Sequence, residues 1–346
     1  MSQSSWAQQA TDRFFSSRKS PSQKQCDEVA ESVSGSSTVR PVDSPGSMSY
    51  TVVCRGRSEP EQDLVISFRE QEAMLNEEIV KLAKEIHGDL VPESIYHGSM
   101  EGADPPLSIY SMPFLRGSPC IEVLAFQVEM DPEEEAKHCV FVKHLARYFA
   151  RCWSRSLPFG DQIQAEKQER IRKRLAWLAD ASPSSPLSTS MLSKLVENLP
   201  LLFSQGYPQV LTHNDFSVTN ILLDENKFDI TGIVDWSLAT VMPFGMDLDI
   251  LFLTTGFMTR NGWHDYACKT VLLDAFWKEF WTVSGIEEER WGRIQSLAEA
   301  AGRIGAILRL AVRRNADGSP SEEVLVSESR MKQLRAWLGD QATSLT

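Results

Sequence analysis

The chain has 346 residues, 42% of them hydrophobic, enough to bury a sizeable core and better suited to one two-lobed unit than to a string of domains. Its net charge of -12 argues against nucleic acid as a partner, because a phosphate backbone selects basic faces. Such acidity suits a cationic small molecule, an amine or an amino sugar, although solubility alone also accounts for it.

Cys26, Cys54, Cys120, Cys139, Cys152 and Cys268 are scattered and form no CxxC pair, which is poor material for a zinc site or a disulfide framework. Met1 to Ala10 carries no basic-then-apolar signal pattern, and no apolar run reaches the length of a membrane span. A soluble, cytoplasmic protein without a membrane partner is therefore expected; the oligomeric state is not legible.

Residues 5–18 read as a short amphipathic helix, and the Ser/Pro-rich start at Ser20 offers a cap for a second one ending near Ser34. This extension, residues 1–36, reads as packing rather than chemistry. From residue 37 the texture changes to strand. Segments 38–42, 49–55 and 64–69, broken by Gly, Pro and charged turns, predict a three-stranded antiparallel meander. Its first turn holds Gly46, Ser47 and Ser49, whose backbone N–H groups and small hydroxyls can face phosphate oxygens, as glycine-rich nucleotide loops do.

A helix over 70–88 follows from the spacing of Leu75, Ile79, Leu82, Ala83 and Ile86; on that register Glu78 borders the buried face and Glu77 points elsewhere. Residues 107–115 read as a strand leading into a hinge, with Pro113 removing a ladder donor and Gly117 loosening the exit. The region 116–346 is mostly helical. Phe141, Leu145, Tyr148, Phe149 and Cys152 mark one buried stripe, residues 166–180 and 188–199 give two more helices around a 182–186 linker, and 287–314 gives another. Trp263, His264, Asp265, Trp277 and Trp281 are candidates for lining an acceptor pocket, although aromatics at helical spacing are more often core. Residues 315–327 read as a loop and 328–338 as a last short helix.

The stretch 211–236, LTHNDFSVTNILLDENKFDITGIVDW, is the most informative. Phosphoryl transfer needs a carboxylate beside the acceptor hydroxyl and oxygen ligands that hold magnesium against the triphosphate. Asp215, Asn220 and Asp235 supply that set. The apolar runs 220–224 and 229–235 flank a polar turn and predict a hairpin. If Asp224 faces Asp229, then Asn220 faces Ile233, and Asp235 lies two residues on, about 7 Å along the ladder at roughly 3.3 Å per residue. His213 reads as an internal brace of the loop rather than as a base.

His213-x-Asp215-x4-Asn220 with Asp235 resembles the catalytic core of the aminoglycoside phosphotransferase and choline kinase family, and is most similar to its fungal members. The likeness extends over about residues 30–310. It implies an α+β, protein-kinase-like two-lobed fold: a small antiparallel β-rich N-lobe over 37–115 and a larger, mostly helical C-lobe over 116–346. Pro243 to Asp247 matches the family's Gly/Pro turn, with Asp247 starting a helix. Arg69 stands where the family usually has a lysine that grips the nucleotide phosphates, and Glu78 is the expected partner that holds it there. The hinge backbone around Ser111, Met112 and Phe114 is expected to meet the adenine.

The resemblance implies ATP and Mg2+ as cofactors and transfer to a hydroxyl of a small-molecule acceptor, with Asp215 as base and Asn220 and Asp235 on the metal. The alternative is a kinase-fold protein that binds a nucleotide or metabolite without transferring phosphate, suggested by Arg69 and by Asn214, where the family commonly has glycine. A protein kinase fits less well, since the chain lacks both Gly-x-Gly-x-x-Gly and Ala-Pro-Glu.

Overall fold

The computed structural model describes residues 6–46, 48–56, 63–158, 160–180, 187–314, 320–324 and 328–338. They separate into two units, one built on Met1–Gly117 with Thr231–Leu238, the other on Ser118–Ile230 and Ala239–Asn315 with the C-terminal segment.

The first unit begins with helices α1 (Trp6–Ser16) and α2 (Gln23–Ser34). Ser22 and Gln25 form a reciprocal capping box at the start of α2, and Gly35 in the left-handed conformation ends it. Strands β1 (Val39–Pro41), β2 (Ser49–Cys54) and β3 (Leu64–Glu70) form the expected meander; α3 (Glu77–His87), β4 (Ile95–Ser99) and β5 (Leu107–Pro113) follow. The sheet order is β1-β2-β3-β5-β4, antiparallel throughout. β4 has no counterpart in the sequence reading, because its residues are exposed or half-buried and lack an apolar alternation.

The period of two assigns the two faces of this sheet. Tyr50 and Val52 of β2, Ile66 and Phe68 of β3, and Leu107 and Ile109 of β5 share a core with Phe14, Cys26 and Ala30 of α1 and α2. Tyr50 is tied further, donating to Asp27 at 2.7 Å and accepting from Gln23 at 3.0 Å. The N-terminal extension therefore closes one sheet face by packing. The other face is polar at the Arg69 end, with Ser49, Thr51, Ser67, Arg69, Ser108 and Tyr110, and apolar at the far end, with Val53, Val65 and Met112; Thr51 and Ser67 are hydrogen-bonded at 3.0 Å.

The second unit opens with the two-residue strand β6 (Ser118–Pro119) and the short helix α4 (Cys120–Val123). Helix α5 (Pro132–Ser154) starts at a capping box formed by Asp131 and Glu134, with proline at its first position. Its stripe of Phe141, Leu145, Tyr148, Phe149 and Cys152 is buried as expected. Then come α6 (Asp161–Asp180) and α7 (Thr189–Leu202); the 182–186 linker between them lies outside the described residues. Strands β7 (Gln209–Thr212), β8 (Ile221–Leu223) and β10 (Thr240–Pro243) of this unit, and β9 (Ile230–Ile233), which belongs to the first unit from Thr231 on, cover the informative stretch and its end. β7 pairs with β10, and β6 with β8.

The short helix α8 (Ile250–Thr254) leads into the hairpin β11 (Gly256–Thr259) and β12 (Gly262–Asp265), then α9 (Lys269–Ser284) and α10 (Glu288–Leu310). Within 312–324, read from sequence as helix end and loop, β13 (Val312–Arg314) pairs with β14 (Pro320–Val324); α11 (Glu328–Leu338) falls where a last helix was expected. Among the described residues no helix is long and apolar enough to cross a membrane.

Aromatic packing builds the interior of this unit. Phe149 meets Phe276 edge-on at 5.9 Å, and Trp153 meets Phe244 at 4.9 Å. Trp277 and Trp281 stack at 5.3 Å and are buried, which corrects their candidacy for an acceptor pocket: they are core. Trp263, His264 and Asp265 lie instead on β12.

Candidate active site

In the first unit the site residues are Arg69 and Asp235. Burying a guanidinium on a sheet face requires an anion or strong acceptors beside it. Arg69 Nη1 donates to Asp235 Oδ1 at 3.0 Å and to the Ala73 carbonyl at 3.3 Å. The sequence reading placed 231–238 with the helical region; the structure puts it in the first unit, where this bond anchors it. Asp235 has φ 64°, a left-handed conformation that costs a non-glycine residue energy and that a short polar side chain tolerates best. Its Oδ1 also accepts from Ser237 Oγ at 3.0 Å. Trp236 follows, its indole N–H bonded to the Ile233 carbonyl and its ring 5.8 Å from that of His87. Arg69, Leu75, Val80, Met112, Asp235 and Trp236 line one cleft.

Glu78 does not partner Arg69. Asn76 caps α3 by accepting from the Ile79 N–H at 3.2 Å, so the helix starts after Leu75 and its buried face is Val80, Ala83, Ile86 and His87. Glu78 is left exposed in the first turn, where its charge suits the helix dipole. Leu75 is buried but lies just before the cap, outside the helix, so the helical register does not include it.

Ser111 does not offer its backbone to an adenine either. It lies inside β5, in register with Ile66 and Ile95, on the face that α1 and α2 cover, and its hydroxyl meets His97 Nε2 at 2.7 Å. A residue with strands on both sides has no free backbone edge for an adenine. Met112, one residue on, faces the cleft, and Phe114 leaves the sheet with its N–H on the Asp63 carbonyl at 2.8 Å. Ser49 is paired with Arg69 across the ladder, and Gly46 approaches it so closely that a Cβ would lie 3.1 Å from Ser49 Oγ. Ser47 lies outside the described residues.

In the second unit the loop between β7 and β8 carries His213, Asp215 and Asn220. Asn220 Nδ2 donates to the Asp215 carbonyl at 2.9 Å and to its Oδ2 at 3.2 Å. With the amide nitrogen so engaged, the amide oxygen is the atom Asn220 offers to a cation. Phe216 stacks on Tyr148 at 4.6 Å and pins the loop to α5. The expected turn forms, with the Asp224 N–H on the Asp229 carbonyl at 3.0 Å and the Asp224 carboxylate capping Asn226 and Lys227 at 2.9 Å each.

His213 is fully buried. Asp247 does not start a helix, because α8 begins only at Ile250. It accepts instead from the His213 N–H at 2.6 Å and the Asn214 N–H at 3.1 Å. Asn214 sits at φ 62°, so its place in the sequence asks for glycine or for the residue type that best tolerates this conformation. Burial, and then the charge of Asp249, push the Asp247 carboxyl up to about 6, against the pull of Arg309 and the two amides.

Two residues of this cluster escaped the sequence reading. Arg309 of α10 donates through Nε and Nη2 to Asp249 and through Nη1 to Asp215 Oδ1 at 3.3 Å. Burial alone would lower the Arg309 pKa; the charges of Asp249, Asp247 and Asp215 outweigh it and leave the pKa raised. The available signal was one arginine in the apolar run 304–312, with no acid near it in sequence. Glycine at 305 allows α10 this close: a Cβ there would fall 1.9 Å from the Met246 carbonyl oxygen.

Residues 77–267, more than half of the chain, match the family model described as the phosphotransferase enzyme family. The chain belongs to the phosphotransferase enzyme family. No curated protein sequence matches this phosphotransferase significantly. Among solved structures it is similar to wild-type aminoglycoside 2'-phosphotransferase-IIIa in complex with GDP, at 15% identity and a TM-score of 0.52 over 84% of this chain and 91% of that one. It is also similar to a protein of Ralstonia eutropha JMP134, assigned provisionally as an aminoglycoside phosphotransferase, at 14% identity and a TM-score of 0.51 over 83% and 90%. At such identities the likeness establishes the fold, an α+β architecture with an antiparallel sheet followed by a mostly helical region.

Proposed function

We propose that this phosphotransferase moves the γ-phosphoryl group of ATP to a hydroxyl of a small molecule. The observation that supports the reading is the Asp215–Asn220 pair: the amide nitrogen of Asn220 holds the Asp215 carboxylate, which leaves its amide oxygen as the atom for a cation. Asp215 orients the acceptor hydroxyl and takes its proton as the new P–O bond forms; the β–γ bridging bond breaks and ADP leaves. Arg69, on the polar sheet face beside Ser49, binds phosphate oxygens with the donors of its planar fork.

Asn220 and Asp235 provide hard oxygen donors of the kind magnesium selects, which fits the metal implied by the family. Magnesium, when bound, neutralises charge on the phosphate oxygens. Asp235, its side chain 40% exposed, keeps surface for a ligand while Arg69 fixes its orientation. The acidic surface and the aminoglycoside-directed relatives favour an amine or amino-sugar acceptor.

Neither departure from the family pattern speaks for a non-transferring binder: Asn214 has the conformation that its position demands, and Arg69 is charged and joined to Asp235. The test is ADP release from Mg-ATP with a panel of amines, amino sugars and proteins, run on the wild type and on Asp215→Ala. Turnover with a small molecule that disappears in the variant supports the reading. A variant as active as the wild type, or a wild type that binds Mg-ATP and turns over no acceptor, overturns it.

A further inference from the structure

We propose that Arg309 is a positioning residue for the transfer step, locking the Asp215 carboxylate by a guanidinium bridge anchored on Asp249. This inference rests on the phosphotransferase reading and adds a residue that lies 94 positions from Asp215 in sequence.

The geometry carries it. Asp249 is fully buried, and two donors of Arg309, Nε and Nη2, converge on its two oxygens. A guanidinium is planar and rigid, so a two-point attachment at one edge fixes the direction of every other N–H. Nη1 is thereby aimed at Asp215 Oδ1, while Asn220 holds Oδ2 at 3.2 Å. The carboxylate is gripped at both oxygens by donors from different elements, and its rotation about the Cβ–Cγ bond is stopped.

Neutralising the half-buried Arg309 needs one carboxylate, and the fully buried Asp249 provides it. The third bond, to Asp215, adds that residue's charge to that of Asp249 and, beyond that, fixes orientation. A lysine retains the charge but radiates its three donors from one freely rotating nitrogen, and so lacks the fixed fork that spans Asp249 and Asp215. Orientation matters here because an attacking hydroxyl must be aligned with the phosphorus, and a displacement near 1 Å at the orienting group costs about 10²-fold in rate.

The experiment compares wild type, Arg309→Lys and Asp249→Asn in steady-state phosphoryl transfer to whichever acceptor the wild type uses, with Mg-ATP affinity measured in parallel by calorimetry. The expected result is a kcat lowered by at least about 10-fold in both variants, an ATP affinity within about twofold of wild type, and a raised share of ATP hydrolysed without acceptor phosphorylation. A merely structural role would change yield and melting temperature and leave that share alone. Wild-type kcat in a folded Arg309→Lys protein overturns the proposal while the phosphotransferase reading stands. If Arg309→Lys does not fold, Asp249→Asn decides in the same way. A wild type inert toward every acceptor overturns both.

Discussion

The Arg69 guanidinium, nearly buried on β3, donates to the Asp235 carboxylate at 3.0 Å across 166 residues of sequence. The pair joins the cation expected to meet phosphate to the carboxylate expected to meet the metal. Each restrains the other: Arg69 is spared an unpaired charge in the sheet, and Asp235 is held in its left-handed conformation.

Arg69→Met should therefore weaken Mg-ATP binding by about 10- to 100-fold, the size of one or two lost charge-assisted hydrogen bonds. Arg69→Lys should fall between it and wild type, retaining charge and losing the fork. Titration calorimetry checks this. Unchanged affinity in Arg69→Met would remove Arg69 from the nucleotide site.

Asp235→Ala and Asn220→Ala should each abolish the magnesium-dependent part of the thermal stabilisation that ATP confers, because each removes one oxygen ligand. Melting curves with ATP, with and without magnesium, separate the metal from the nucleotide. A full magnesium-dependent rise in either variant would exclude that residue as a ligand.

Asn214→Gly should leave stability within a few tenths of a kcal/mol, whereas Asn214→Ala should cost about 1 kcal/mol, because alanine keeps the Cβ at φ 62° and loses the short polar side chain that makes this conformation tolerable. Urea unfolding of the two variants reads the difference. Equal stabilities would mean that the loop adopts another conformation at this position.

Asp247 predicts a pH dependence. Its pKa rises from the ordinary 3.8 to about 6 on folding, so between these values the folded chain holds a proton that the unfolded chain has lost. The stabilising contribution is complete below about pH 4 and disappears as pH rises through about 6, a change on the order of 3 kcal/mol. The stability of wild type relative to Asp247→Asn should decline over that window in urea melts and be flat outside it. A rise with pH would reverse the assignment.

Near-neighbour rules determined much of this protein. The Ser22 capping box, the meander strands, the buried stripe of α5 and the turn between Asp224 and Asp229 all depend on residues a few positions apart, and sequence shows them directly. So do the spacings of Asp215, Asn220 and Asp235, which are set within one stretch of 26 residues, 211–236. What required tertiary structure is whatever joins distant segments or depends on an exact register. Ser111 and Met112 are adjacent in sequence, and only pairing with β3 and β4 decides which of them faces the cleft. One cap at Asn76 moved Glu78 off the buried face. Asp247 accepts from loop amides more than 30 residues before it, and Arg309 of α10 reaches Asp249 and Asp215 across 60 and 94 residues; contacts at such separations leave no periodic mark in a sequence.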